Sequence, residues 1–399
     1  LTATLPRLDL SSPRLHAEQD LTTYFAALRT EGACVQHETA SGRTYYVVPR
    51  HPDIDALLRE PHALSSSGGN VMDTILSKGD TGAGRMLALM DGPRHLELRR
   101  TLRGYFTREP LATLEPRLRE LAAQLVDRHV DSAPFDFAAD VAALLPIMAV
   151  SELLGVPAAD RQMLVTWTSN ALGADDENYS PSSARLVKSE LLLYFFKLAE
   201  AKRQTPGRDL VTTLVEATIG GADLTVEDVI LNCYSILLGG DQTTRLAMIG
   251  AVDLFVRRPE IWEAVRRSDD LGPIVEEILR WTTPALHVAR TVVQPLTVGE
   301  TDLSRGDVVV LWTASGNFDE GVFTAPHRFD PARSYNPHLT FASGAHFCLG
   351  AQLARLELTC LLDALRHRVA RFTAAAAPRR LYSNFLSGFA TLPVIARST

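Results

Sequence analysis

The residues Phe341-Ala-Ser-Gly-Ala-His-Phe-Cys-Leu-Gly350 are the most informative in the chain, and Ala-Gln-Leu-Ala-Arg-Leu-Glu357 follows directly. Leu349, Leu353, Leu356 and Leu361 recur at helical spacing, which predicts an amphipathic helix over 349–368. Cys348 therefore stands where a glycine-containing loop meets the first turn of a helix. Unpaired N–H groups and the helix dipole favour a thiolate there, and a thiolate is a strong axial ligand for haem iron. Gly344 and Gly350 let backbone come close to a flat group, and His346 is placed to donate to an anion. Taken bare, a cysteine at a helix start is more often a small buried hydrophobe, so the rest of the chain has to decide.

Working outward, the 399 residues are 46% hydrophobic and 22% charged, an ordinary composition for a folded chain with a substantial core. The net charge of −7 argues against a nucleic-acid binder. The four cysteines, Cys34, Cys233, Cys348 and Cys360, show no paired metal spacing and are too sparse for a disulfide scaffold, which fits a reducing cytoplasm. No secretory signal is visible, and the longest apolar run, Val141 to Val150, contains Pro146 and is far short of the roughly 18 residues a membrane span needs. The expectation is a cytoplasmic protein with no membrane anchor. Without a Pro/Gly/Ser-rich boundary, residues 1–399 read as one domain.

Most of the chain reads as helix. Residues 111–130, 137–154 (bent near Pro146), 182–202 and 226–256 carry helical patterns, with Asp175–Pro181 a polar break and Thr225 and Asp228 a capping pair before the longest of them. That longest helix would run about 46 Å. Strand signals are few: Ala33–Val35 and Tyr45–Val48 around a turn, Leu296–Val298, Val308–Leu311 and the last 25 residues. Ser65 to Gly84, rich in Ser, Gly, Asp and Thr, reads as a long loop or lid. The fold class is mainly α with small peripheral β-sheets.

Three further motifs stand in order before the cysteine. His95-Leu-Glu-Leu-Arg99 places two cations on one helix face; Gly239-Gly240-Asp241-Gln242-Thr243-Thr244 sits in the long helix; Glu277-Ile-Leu-Arg280 has ion-pair spacing. Two mid-helix glycines cost roughly 1 kcal/mol each against alanine, a cost that asks for a reason. Together these resemble the cytochrome P450 family. The Phe341–Gly350 stretch is similar to its haem-binding signature, with Ala342 where the first glycine is usual; that replacement implies a loop with no need of positive φ. The resemblance implies the triangular, helix-rich fold of that family and a haem b whose iron takes Cys348 as ligand. Phe341, Gly344, Gly350, His346 and Gly240 would border the haem, and His95, Arg99 and Arg290 would meet its propionates. Glu277, Arg280 and Arg333 would form a buried ion network, and Asn317 resembles a common segment in which Phe318 replaces Arg.

Within Gly239–Thr244 the resemblance assigns proton delivery to Thr243, but the acid position before it is Gln242. Asp241 is an acid one residue earlier and about 100° around the helix. Thr243, Gln242 and Asp241 are the catalytic candidates. By matched position, substrate would meet the 65–85 lid, Leu238, Gly239, Leu286, His287, Val288, Phe385 and Leu386, with Asn384 nearby. The implied activity is a monooxygenase that tailors a small or carrier-bound secondary-metabolite intermediate. It would use O2 and electrons from a ferredoxin and ferredoxin reductase, with Arg100 and Arg103 helping to dock the donor. Oxidative coupling or cyclisation without oxygen insertion is an alternative, and a haem-binding sensor or assembly partner a second.

Overall fold

The chain is described by a computed structural model covering residues 6–60, 62–77, 79–172 and 181–398. The polar break expected at Asp175–Pro181 lies almost wholly outside the described residues.

The long helix runs unbroken from Val226 to Arg257. Its start is the expected capping box: Asp228 N donates to Thr225 Oγ1 and Thr225 N donates to Asp228 Oδ2, both at 3.1 Å. Thirty-two residues make it about 48 Å long. The helices Leu144–Leu154, Pro181–Gln204 and Gly272–Thr282 pack against it, as does the helix after the cysteine, Ala351–Arg368. The last of these also packs along Arg108–Asp127. One hydrophobic cluster reaches through these helices from Leu87 to Ala396.

The bend expected near Pro146 falls earlier. A wide turn over Ala138–Ala142 precedes the helix Leu144–Leu154. Pro146 is the third residue of that helix, where a backbone N–H has no partner inside the helix to lose.

The largest sheet has five strands. Val35–Glu38 and Thr44–Val48 form the expected hairpin, with Val35 opposite Val47; Val308–Leu311 adds parallel to it, then Val288–Val292 antiparallel, then the two residues Leu64–Ser65. Smaller sheets hold the C-terminal strands Arg371–Ala374, Phe389–Thr391 and Pro393–Arg397. The expected 65–84 lid is not a free loop. It contains the helix Met72–Leu76 and is tied to the sheet by Ala289 N donating to Asn70 O at 2.8 Å. Among the described residues no helix is long and apolar enough to cross a membrane.

Candidate active site

The long helix, the cysteine loop, the helix Gly92–Arg103 and the edge of the large sheet enclose a cavity of about 330 Å³. Along the long helix it is lined by Asn232, Ser235, Ile236, Gly239, Gly240, Thr243 and Thr244. These recur at steps of three and four, one stripe of a 3.6-residue helix. Leu238, Asp241 and Gln242 fall between the stripe's members and do not line the cavity. Two catalytic candidates and one substrate candidate are thus off the site, for the reason that 100° per residue turns them away. Among the described residues no carboxyl lines the cavity.

Thr243 is on the cavity wall, and its Oγ1 donates to Gly239 O at 3.1 Å. With its proton held there, the hydroxyl offers lone pairs to water in the cavity. The two glycines have different reasons. A Cβ on Gly239 would meet nothing within 4 Å, so it would project into open space. A Cβ on Gly240 would sit 2.9 Å from Val150 Cγ2, so this glycine admits the neighbouring helix. The helical ladder is not opened at either.

Across the cavity stands Cys348. It is exposed, onto the cavity that it lines, while protein surrounds it on its other sides. Burial pushes its thiol up from the ordinary value, against the pull of the Gly350 N–H and of the Arg99 and Arg355 guanidiniums. The helix start alone therefore does not make a thiolate here; a bound metal ion would, since coordination deprotonates a thiol outright.

The loop before it corrects two expectations. Ala342 has φ +56°, so the backbone does use the left-handed region although no glycine is present. Gly344 has φ +70°, and a Cβ there would lie 2.3 Å from Leu58 O. Its bareness serves the packing of the loop on the helix His51–Leu58, and it does not line the cavity. Gly350 does line it and would carry a Cβ into open space. Phe341 also lines it, with the Arg355 guanidinium 4.6 Å from its ring centroid.

Basic side chains converge on the cavity's rim. His95 is 1% exposed, and its Nε2 has no hydrogen-bond partner. Burial, then the charges of His346 and Arg99, hold it down to about 4, so it is neutral and open to an anion. Arg290 is buried, donates to Ala289 O at 2.8 Å, and is pushed down by burial to about 10, still charged near neutrality. Arg99 donates to Phe347 O. His346 is otherwise engaged: its Nε2 lies 3.2 Å from both Asp91 Oδ1 and Ser66 Oγ, and its ring stacks on His95 at 4.2 Å. Asp91, which also accepts from Ser65 Oγ and Ser66 N, had no sequence signal. An orphaned buried imidazole and two arginines beside a thiol-bearing wall fit a haem: Cys348 can take the iron, and His95, Arg99 and Arg290 its carboxylates.

On the sheet side His287, Val288 and Phe385 line the cavity, but Leu286 and Leu386 do not. Side chains alternate along extended backbone, and these two face a separate cleft of about 210 Å³ with Trp281 and Trp312. The partition is a short ladder in which Leu286 N donates to Phe385 O and Ser387 N to Pro284 O, both at 2.8 Å. His287 is buried; its Nε2 accepts from Met72 N at 3.1 Å, and burial pulls it down to about 3, so Nδ1 carries the proton. Asn384 points away from the cavity wall, donating to Ser11 O and Asp73 Oδ1. Asn232, not anticipated, is held by Leu87 N and Arg85 O and ties the lid to the long helix.

Below the cavity the structure brings Glu277, Arg280 and Arg333 together. Arg280 donates to both Glu277 oxygens at 2.8 Å, Arg333 Nε to Oε2 at 3.0 Å, and Glu277 and Arg280 are 0% exposed. Arg280 also donates to Asn317 O, while the Asn317 side chain bonds Thr283, Thr340 and Leu339 N.

Comparison with known proteins agrees with this arrangement. The family model described as Cytochrome P450 matches residues 271–378. "Cytochrome P450 NovI" of Streptomyces niveus is 36% identical over 98% of this chain and 96% of its own length. "Linalool 8-monooxygenase" of Pseudomonas putida is 32% identical over 98% of this chain and 99% of its own. Among solved structures, P450 OxyD, involved in the biosynthesis of vancomycin-type antibiotics, superposes with a TM-score of 0.90 at 35% identity, covering 98% of this chain and all of that one.

Proposed function

Because the chain belongs to the cytochrome P450 family, an oxidoreductase family whose cofactor is haem b, we propose that it hydroxylates or otherwise oxidatively tailors a secondary-metabolite intermediate. Residues 1–399 act in this reading as one domain. The observation that carries it is the single cavity onto which Cys348, His95, Arg99, Arg290 and Thr243 all open. Bound through a cysteine thiolate, haem supplies the reductive activation of dioxygen. The chain's own share is placement and proton control. Cys348 would hold the iron and His95 Nε2, Arg99 and Arg290 the carboxylates; Thr243 would order water beside the glycine stripe; Phe385, Val288 and Ile236 give apolar walls that would exclude bulk water from an apolar substrate. The NovI and OxyD names support the substrate class.

Electrons come, in this proposal, from a ferredoxin and its reductase. Arg100 and Arg103 are exposed on the Gly92–Arg103 helix and off the cavity, available to an acidic partner. Replacing both by Glu slows reduction by an acidic ferredoxin and weakens its salt dependence, if this face is the docking site. Equal rates at low salt would rule the face out.

The absence of a carboxyl from the described cavity wall favours a second reading, coupling or ring closure without oxygen insertion, in which the substrate's own acidic hydrogen serves. The test is product analysis with labelled dioxygen, NADPH and a surrogate ferredoxin and reductase. Label in the product supports insertion; unlabelled coupled product sinks it. Cys348→Ala should abolish the red-shifted Soret band of the reduced carbon-monoxide complex, while Cys34→Ala, Cys233→Ala and Cys360→Ala keep it.

A further inference from the structure

Across the short ladder of Leu286 and Phe385 lies the cleft of about 210 Å³, which shares no lining residue with the haem cavity. The helix Thr22–Glu31 contributes to one wall and the turn after Leu381 to another. Four aromatic side chains line it: Phe25, Trp281, Trp312 and Phe318. Trp312 is 0% exposed, and its Nε1, which can only donate, has no hydrogen-bond partner among the described residues. The rings of His16, Phe25 and His287 lie 5.7, 5.0 and 5.0 Å from the indole at 16°, 30° and 34° to its plane. Its faces are therefore covered, and an edge is left for the cleft.

The charges around the cleft are already matched. Arg29 Nη2 donates to both Glu320 oxygens at 2.9 Å, and its Nη1 donates to Ser315 Oγ at 3.0 Å. His327 Nε2 is 3.6 Å from Glu320 Oε1. Asp20 is held below its ordinary value by the bonds from Thr22, then by the charges of Arg380 and His327. His16 Nε2 lies 2.9 Å from Leu10 O, and burial lowers the ring's value, so it is neutral near pH 7. A charged ligand would find no free countercharge here. What is left unanswered is one N–H among aromatic rings: the donor calls for an acceptor, and the rings call for a flat apolar body. The same indole packs on His287, which lines the haem cavity and accepts from Met72 N of the lid helix Met72–Leu76.

We propose that this cleft is a second small-molecule site, which takes an uncharged planar aromatic molecule with an acceptor oxygen, and that its occupant alters what the haem cavity binds. Trp312 Nε1 donates to the oxygen, while Trp281 and Phe318 give apolar contact to the rings. The effect on the cavity follows from shared parts. Trp312 and Leu286 face the occupant; His287, packed on the first and next in sequence to the second, faces the cavity. Such coupling is reciprocal, so a cavity ligand changes the cleft's affinity by the same factor. The inference goes beyond the monooxygenase reading and stands without it, because it needs the haem-loaded chain but no turnover.

The first test is calorimetric titration of the holoenzyme with chromone, a flat bicyclic ketone, while 4-phenylimidazole on the haem iron fills the main cavity. The expected result is one chromone per chain. Naphthalene, of like shape without the oxygen, should bind about tenfold more weakly, and chromone-2-carboxylate no more tightly than chromone. Trp312→Phe keeps a ring and loses the N–H, so chromone should weaken about tenfold while naphthalene is unchanged. No bound chromone, or equal chromone affinity in wild type and Trp312→Phe, overturns the site; a tighter carboxylate overturns its uncharged ligand. Should Trp312→Phe fail to fold, Trp281→Leu decides: it should weaken both ligands, and unchanged affinities overturn the site. The second test follows 4-phenylimidazole binding by the haem absorption spectrum as chromone is raised. The apparent affinity should change about fivefold or more and then level off. A change that grows without limit is competition inside the cavity, and no change means independent sites; either overturns the action on the cavity. Neither test reads turnover, so their failure leaves the monooxygenase reading to its labelled-dioxygen experiment.

Discussion

Arg355 grips Glu276 by two edges, its Nε donating to Oε1 at 2.6 Å and its Nη2 to Oε2 at 2.8 Å. The pair ties the helix that follows the cysteine to the helix that carries Glu277 and Arg280, and His338 Nε2 lies 3.1 Å from the same carboxylate. Burial alone would raise Glu276, but the bonds from Arg355 and His338 outweigh it and hold the group at about 2.

That depression sets the sign of an acid dependence. A carboxyl lower in the folded than in the unfolded chain stabilises above its unfolded value, near 4.5, and the stabilisation is lost as pH falls toward 2. Glu276→Gln should therefore flatten the fall of melting temperature in that window. A mutant curve parallel to wild type would refute the assignment.

Glu277 accepts from Arg280, Arg333, Asn336 Nδ2 and Asp330 N, all within 3.0 Å. Removing it strands the fully buried Arg280, a loss of about 3–5 kcal/mol. Glu277→Ala should give mostly insoluble or haem-free protein. A normal yield with wild-type melting would show the network to be superficial.

Ala342 sits at φ +56° in the cysteine loop. An alanine there costs about 1–2 kcal/mol, and glycine's extra freedom when unfolded returns part of that, leaving Ala342→Gly more stable by about 0.5–1 kcal/mol. Urea unfolding reads this directly; an unchanged or lower midpoint contradicts it.

Gly239 and Gly240 should respond in opposite directions. Gly239→Ala gains helix propensity, about 1 kcal/mol, and adds a methyl where nothing stands within 4 Å. Gly240→Ala gains the same but presses on Val150, an overpacking cost of about 1–3 kcal/mol. Thermal melts should place the first variant above the second. The reverse order would show that the helices part more easily than their packing suggests.

These cases also mark what could be read from the chain alone. The capping box at Thr225, the helix after Cys348 and the pairing of Glu277 with Arg280 depend on residues close in sequence, so their spacing carried them. Ala342 was misread because its φ is imposed by the loop around it, not by the residue. Gly344 and Gly240 were noticed as glycines, yet their partners, Leu58 O and Val150, arrive from distant segments that no local pattern announces. Asp91, holding His346, is of the same kind. Leu286 and Leu386 were assigned to the cavity as members of lining segments, when alternation along extended backbone puts them on its other side.

The stripe on the long helix bears on any effort to redesign what this protein accepts. A randomised library over the contiguous block 238–243 would reach the cavity at only three of its six positions, Gly239, Gly240 and Thr243. Of these, Gly240 has no room and Thr243 is tied to a carbonyl. A sparse library at Ser235, Ile236 and Gly239, with Val288 and Phe385 on the opposite wall, alters the shape of the chamber while leaving its helix packing alone.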